Sequence, residues 1–175
     1  AWFSELSFDF LLGEIAGNFI SPNKAAFATV GHWTNSFDPT DTVTLQHGLS
    51  GAFGYNDTGP GHTTQIYGTD LYLRWRPSQN RGLKWQTEYF LRIREAAATP
   101  DVEGGFYSQL VGQFARRWEM GVRYDFIGLP RAGLRQSAAT PMLTFLATEF
   151  FKIRAQYSLA KAEGAPYRNE AFLQL

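Results

Sequence analysis

The stretch from Thr64 to Glu95 alternates apolar and polar side chains over two runs, each of about ten residues, that flank a short polar turn. Only a β-strand places successive side chains on opposite faces, so the pattern predicts an antiparallel hairpin with one apolar and one charged face. The apolar set is Tyr67, Thr69, Leu71, Leu73, Trp75, Trp85, Thr87, Tyr89, Leu91 and Ile93, and Phe90 is the exception on the charged face. Such a sheet is typical either of a soluble domain with one wet face or of a transmembrane barrel with a polar lumen.

The composition excludes several classes of protein. The chain has 175 residues, which suffice for one domain, and its 16 basic and 16 acidic residues give no net charge. Without a basic excess, we expect no nucleic-acid partner. The absence of Cys excludes disulfides and thiolate metal sites. No apolar run reaches the length of a membrane-spanning helix, and the alternating start, AWFSELSFDFLLG, is not typical of a signal peptide.

The same alternation recurs along the whole chain and predicts about ten strands. Gly, Pro and Asn mark the breaks between them. Around the central hairpin, the predicted strands run from Trp2 to Leu12, Ala25 to Phe37, Thr42 to Tyr55, Gly105 to Arg116, Trp118 to Phe126, Pro141 to Leu159 (two strands with a turn near Thr148-Glu149) and from Asn169 onward.

The predicted connections alternate in length. Those after strands two, four, six and eight are tight, and the others are longer, as in bacterial outer-membrane barrels with short periplasmic turns and longer extracellular loops. The aromatic residues suggest the same arrangement, since indole and phenol rings favour membrane interfaces. We expect Trp residues beside the tight turns (Trp2, Trp33, Trp75, Trp85 and Trp118) and Tyr residues toward the long loops (Tyr55, Tyr67, Tyr124 and Tyr157).

The charged faces of these strands supply the candidate functional residues. In a closed barrel of about ten strands, they would point into a narrow interior, where they either form pairs that fill it or line a polar lumen. The candidate lumen-lining residues are Asp70, Arg74, Arg76, Lys84, Glu88, Arg92, Arg94, Glu119, Arg123, Lys152 and Arg154. The basic excess on strands four and five would favour anions unless neighbouring acids cancel it.

No pattern in the sequence indicates catalysis. His32, His47 and His62 lie far apart, and the sequence contains no HExxH, GxSxG or GxxxxGK[ST] pattern. A metal site formed by His32 or His62 with a carboxylate is the less favoured alternative to ordinary polar histidines. We therefore expect no enzyme activity, no cofactor and no metal.

Four segments together resemble a known family: YGTDLYLRWRP (67–77), WQTEYFLR (85–92), GGFYSQLVGQFARRWEMGVRYD (104–125) and PMLTFLATEFFKIRAQYS (141–158). They look like the carboxy-terminal strands of outer-membrane β-barrel proteins labelled zinc-regulated TonB-dependent outer-membrane receptors. The similarity spans roughly residues 42 to 175 and implies a barrel in the outer membrane. The chain shows no counterpart of the family's plug domain and no His-rich tract, so the resemblance implies no particular substrate and places no functional residues.

The sequence thus predicts an all-β protein: an antiparallel up-and-down transmembrane β-barrel in the bacterial outer membrane. We expect residues 1–175 to form one barrel domain or part of a larger barrel in a longer protein. The favoured function is a porin-like channel or uptake component for small polar solutes, and membrane lipid is the expected surrounding. The alternatives are a filled structural barrel that anchors or partners another envelope protein or forms an oligomer, an outer-membrane enzyme, and a soluble β-barrel or sandwich.

Overall fold

Ten β-strands account for most of the protein, which is described by a computed structural model covering residues 2–12, 14–21, 26–130, 135–148 and 150–174. The strands are β1 (Trp2–Leu11), β2 (Ala28–Thr40), β3 (Val43–Tyr55), β4 (Thr63–Ser78), β5 (Arg81–Arg94), β6 (Asp101–Ala115), β7 (Trp118–Leu129), β8 (Gln136–Leu146), β9 (Lys152–Ala162) and β10 (Arg168–Gln174). No helix among these residues is long and apolar enough to cross a membrane.

Every strand pairs antiparallel with its neighbours in the chain, in one sheet ordered from β1 to β10. The prediction of an all-β, antiparallel up-and-down architecture is confirmed. The hairpin of β4 and β5 has the register that the alternation requires, with Leu73 opposite Trp85 and Thr69 opposite Tyr89. Within the described residues, β1 and β10 form the two edges of the sheet.

Several predicted boundaries were wrong by a few residues. The second predicted strand ended at Phe37, yet β2 continues through Pro39, and only residues 41–42 separate it from β3. Proline is tolerated there because the register shifts between Phe37 and Thr40, where the ladder does not need its missing N–H. Similarly, β6 begins at Asp101, before its predicted start at Gly105. Ala25, Glu149, Leu175 and residues 131–134, to which some of the predictions refer, lie outside the described residues.

The connections define two ends of the sheet. We call the end with the two-residue connections 41–42, 79–80 and 116–117 the turn end, and the opposite end the loop end. The connection after β8, predicted to be tight, spans residues 147–151, about the same length as the one after β9. No described residue other than Gly has a positive φ, so these tight turns are not type I′. Instead, a register irregularity lies beside each two-residue turn and absorbs the mismatch in twist.

The two faces of the sheet differ in chemistry. The apolar face carries large hydrophobic side chains that remain exposed, among them Trp2, Phe53 and Leu110. The strand register places the side chains of all five Trp residues on this face. Trp33 lies in the middle of β2, however, so its predicted position beside a tight turn was wrong. Its indole nitrogen donates to Ser4 Oγ at 2.9 Å, and that of Trp85 donates to Ser108 Oγ at the same distance. These indole donors are therefore paired within the face itself.

Candidate functional site

The polar face collects the eleven predicted lumen-lining residues. Cross-strand register places Asp70 opposite Glu88, Glu88 opposite Tyr107, and Tyr107 opposite Asp125, so one row crosses four strands at mid-height. Arg123 stacks over the Tyr107 ring, with its guanidinium carbon 4.2 Å from the ring centre. This row aligns polar side chains of β4 through β7 on a single face.

Two glycines on the polar face each leave room for a side chain of the adjacent strand. Gly48 lies directly opposite Asp70, and a Cβ at Gly48 would collide with the Asp70 carboxylate. The carboxylate therefore lies flat across β3, and its Oδ2 is 3.7 Å from His32 Nε2 on β2. Gly68 lies opposite Phe90, and an added Cβ there would collide with Ser50 Oγ and come within 3.2 Å of the Phe90 ring edge. In both cases a long side chain covers a bare backbone on the adjacent strand.

At the loop end, basic residues of β5 are paired with acids. Arg92 Nη2 lies 2.6 Å from Glu103 Oε2 and 3.2 Å from Asp101 Oδ2, both on β6. Arg94 Nη2 lies 2.5 Å from Asp57 Oδ1, in the connection between β3 and β4. Charge-assisted contacts of this kind hold neighbouring strands and loops in register.

A hydrogen-bond network around Asn56 orders the same end. Asn56 is almost fully buried, and its amide nitrogen donates to the carbonyls of Thr63 at 2.8 Å and Glu95 at 3.1 Å. Its side-chain oxygen accepts the Thr58 N–H at 2.9 Å, and the Glu95 carboxylate accepts the N–H and the hydroxyl of Thr63. These links connect the ends of β3, β4 and β5.

Two carboxylates outside the strands have lowered pKa values. The hydrogen bond from Arg94 lowers the pKa of Asp57 below its ordinary value of 3.8. The Thr63 N–H, followed by the Thr63 hydroxyl, lowers the pKa of Glu95 below 4.5. Both groups are therefore charged at neutral pH, as these contacts require.

The connection between β1 and β2 bends over the polar face. Asn18 Oδ1 accepts a hydrogen bond from Arg92 Nη1 at 3.0 Å, which brings this connection to β5. Phe19 is buried with its ring beside Gly54, and the Ile20 N–H donates to the Tyr55 carbonyl at 2.8 Å. The loop end of the polar face is thus partly covered by the chain's own residues.

The turn end of the polar face is basic. Arg74 and Lys84 lie directly opposite each other, and together with Arg76 they line a cavity of about 340 Å³ whose other wall includes Glu119. Among the described residues, none of these three cations takes part in an ion pair, in contrast to the loop end. Lys152 and Arg154 start β9 at the same end, where Arg154 Nε donates to Thr144 Oγ1 at 3.0 Å.

A second cavity, of about 450 Å³, lies at the loop end of the polar face. Phe90, Ile66 and Ile127 form its apolar wall, while Asn18 and Arg92 lie at its polar rim. Sequence reasoning noticed Phe90 as an exception but did not connect it with a cavity. It also missed Asn18 and Tyr107, because only strand register and the path of the first loop bring them to this face.

The histidines do not converge. His47 bonds Thr69 Oγ1 at 3.2 Å on the apolar face, and His62 Nδ1 contacts Thr58 Oγ1 at 2.9 Å in a loop. Among the residues with described positions, no group of three or more His, Asp or Glu side chains could hold a metal ion.

Comparison with known proteins gives two likenesses, and no protein-family model matches the sequence. An uncharacterized protein of Aquifex aeolicus (strain VF5) is 33% identical over 160 residues, covering 76% of this chain and 34% of that protein. The chain therefore spans about a third of the length of the curated relative that it matches. Among solved structures, the TodX monoaromatic hydrocarbon channel deltaS2 mutant is similar, with a TM-score of 0.45 and 11% sequence identity. The match covers 85% of this chain and 60% of the TodX chain. Neither likeness carries the TonB-dependent receptor name, so that resemblance stays a prediction.

Proposed function

We propose that the chain forms a wall of an outer-membrane β-barrel that acts as a porin-like channel for small polar solutes. One observation carries the proposal: a ten-stranded sheet exposes bulky hydrophobic side chains on one face and charged side chains on the other. A face this rich in exposed aromatic and aliphatic groups would drive aggregation in water, whereas lipid solvates it. The charged face would then line an aqueous interior.

The lumen-lining role of the eleven candidate residues is part of this proposal. Their register on one face supports it, and so does the contrast between paired charges at the loop end and unpaired cations at the turn end. Unpaired cations along a path attract anions from solution, which is a means of selection in pores. Membrane lipid surrounds the sheet in this proposal, and the ten strands belong to one barrel domain.

A filled structural barrel is the second candidate. It is favoured by the loop-end ion pairs and by the first connection, which reaches across the polar face to Arg92. In that case the charged residues would brace the wall and exclude solvent, and the exposed surface would serve a partner protein in the envelope.

Two measurements on the full chain test the proposal. Folded membrane barrels resist detergent and migrate faster on gels before heating, so heat-modifiable migration is expected, whereas solubility without detergent would contradict a membrane location. Insertion into planar bilayers is expected to give ohmic steps of conductance. Folded, heat-modifiable protein that inserts but remains electrically silent would favour the filled barrel.

A further inference from the structure

Phe90 is an aromatic residue on the polar face, and 42% of its surface is exposed. Its cross-strand neighbours are glycines on both sides, Gly68 on β4 and Gly105 on β6. The ring leans over Gly68, as the 3.2 Å approach to an added Cβ shows. Gly105 and Ile127, which lie opposite each other on β6 and β7, line an open space beside the Phe90 ring.

This space is the cavity of about 450 Å³ at the loop end. Ile127 is 55% exposed, so the apolar wall of the cavity has little protein packed against it. Exposed apolar surface is unfavourable in water, and an apolar ligand that covers it would recover that free energy. A volume of this size suits a small organic molecule.

The rim of the cavity limits the charge of its ligand. Arg92 is already paired with Asp101 and Glu103, and Asp125 with Arg123, so the ionised groups around the cavity carry more negative than positive charge. These groups would repel an anionic ligand, whereas a neutral ligand can form hydrogen bonds with the Asn18 amide and the carboxylates.

We propose that this cavity binds neutral small molecules with an apolar body and one hydrogen-bonding end. The apolar body would lie between Phe90 and Ile127, over Gly105, and the polar end would meet Asn18 and Glu103 at the rim. The inference rests on the proposed channel and deepens it, because it names the class of solute that pauses at the loop end before it reaches the basic turn end.

Binding is tested with 4-fluorobenzyl alcohol, observed by fluorine NMR on the full chain in nanodiscs. Saturable binding is expected, and Phe90→Ala should weaken it by roughly three- to tenfold, the value of one aromatic contact. The matched control is Phe53→Ala, which removes a similarly exposed ring from the apolar face and should leave binding unchanged. Ile127→Asn provides a second variant of the cavity wall if Phe90→Ala fails to fold.

Three outcomes would overturn the inference. One is uptake of the probe that does not saturate, and another is equal loss in the Phe53 and Phe90 variants, since both indicate partition into lipid. The third is equal binding of a fluorinated glucose that does not depend on Phe90. Bilayer recordings separate the two proposals. Saturable, Phe90-dependent binding without conductance contradicts only the proposed channel. Conductance without such binding contradicts only the proposed ligand-binding cavity.

Discussion

The loop end and the turn end of the polar face use the same residue types in different ways. At the loop end, Arg92 and Arg94 are held by acids from β6 and from the connection after β3. At the turn end, Arg74 and Lys84 face each other across two strands, and no ion pair of theirs occurs within the described residues. The difference teaches that a row of cations on a strand does not define one role: paired charges fix structure, and unpaired charges are available to solutes.

The largest expected difference is in stability. Arg92→Gln leaves Glu103 and Asp101 without their cation and releases Asn18, so it should lower the free energy of unfolding by about 1–2 kcal/mol. The matched control, Arg74→Gln, removes an exposed cation and should change it by less than about 0.5 kcal/mol. Urea unfolding in detergent micelles, followed by Trp fluorescence, gives both values. Equal losses at the two ends would break the comparison.

Ion selectivity should depend more on the turn-end cations than on Arg92, the opposite of the order expected for stability. In the proposed channel, Arg74→Gln combined with Lys84→Gln should lower the chloride-to-potassium permeability ratio by about two- to tenfold, because two unpaired positive charges are lost near the path. Arg92→Gln should change the ratio less, since its charge is already balanced. Reversal potentials across a salt gradient measure the ratio. A larger effect from Arg92 than from the turn-end pair would contradict the assignment.

Acid should loosen the loop end before it affects the turn end. Asp57 and Glu95 have lowered pKa values in the folded protein, so their contributions are fully present above the ordinary values of 3.8 and 4.5. These contributions are lost as the pH falls below those values through the lowered ones. Hydrogen exchange of the Thr63 amide, corrected for its intrinsic pH dependence, should speed up over this range. In Glu95→Ala, which removes the acceptor, that exchange should be fast already at pH 7; continued protection would rule out the carboxylate as its cause.

The smallest effect concerns the facing cations of the turn end. Like charges directly opposite on two strands repel, so Arg74→Gln and Lys84→Gln should each stabilise the protein by about 0.2–0.5 kcal/mol. The double variant should gain little beyond either single one, because one substitution already removes the repulsion. Additive gains in a double-mutant cycle would show that the two side chains do not interact.

The period-two alternation by itself determined the strands and the face on which each side chain lies, because successive side chains of a strand point to opposite faces. The short breaks between the strands determined that neighbours pair antiparallel. It could not determine strand ends, as the continuation of β2 through Pro39 and the central position of Trp33 show. An irregularity in the ladder next to a turn leaves no reliable signal in a single sequence.

Only the tertiary structure decided which charges meet. The pairing of Arg92 with Glu103 depends on the register of β5 against β6, and its contact with Asn18 joins residues 74 positions apart. Phe90 was recognisable in the sequence as an aromatic residue on a polar face, but the cavity beside it depends on the register that brings residues of β5, β6 and β7 together. Such neighbours are set by long-range pairing, and local alternation carries no information about them.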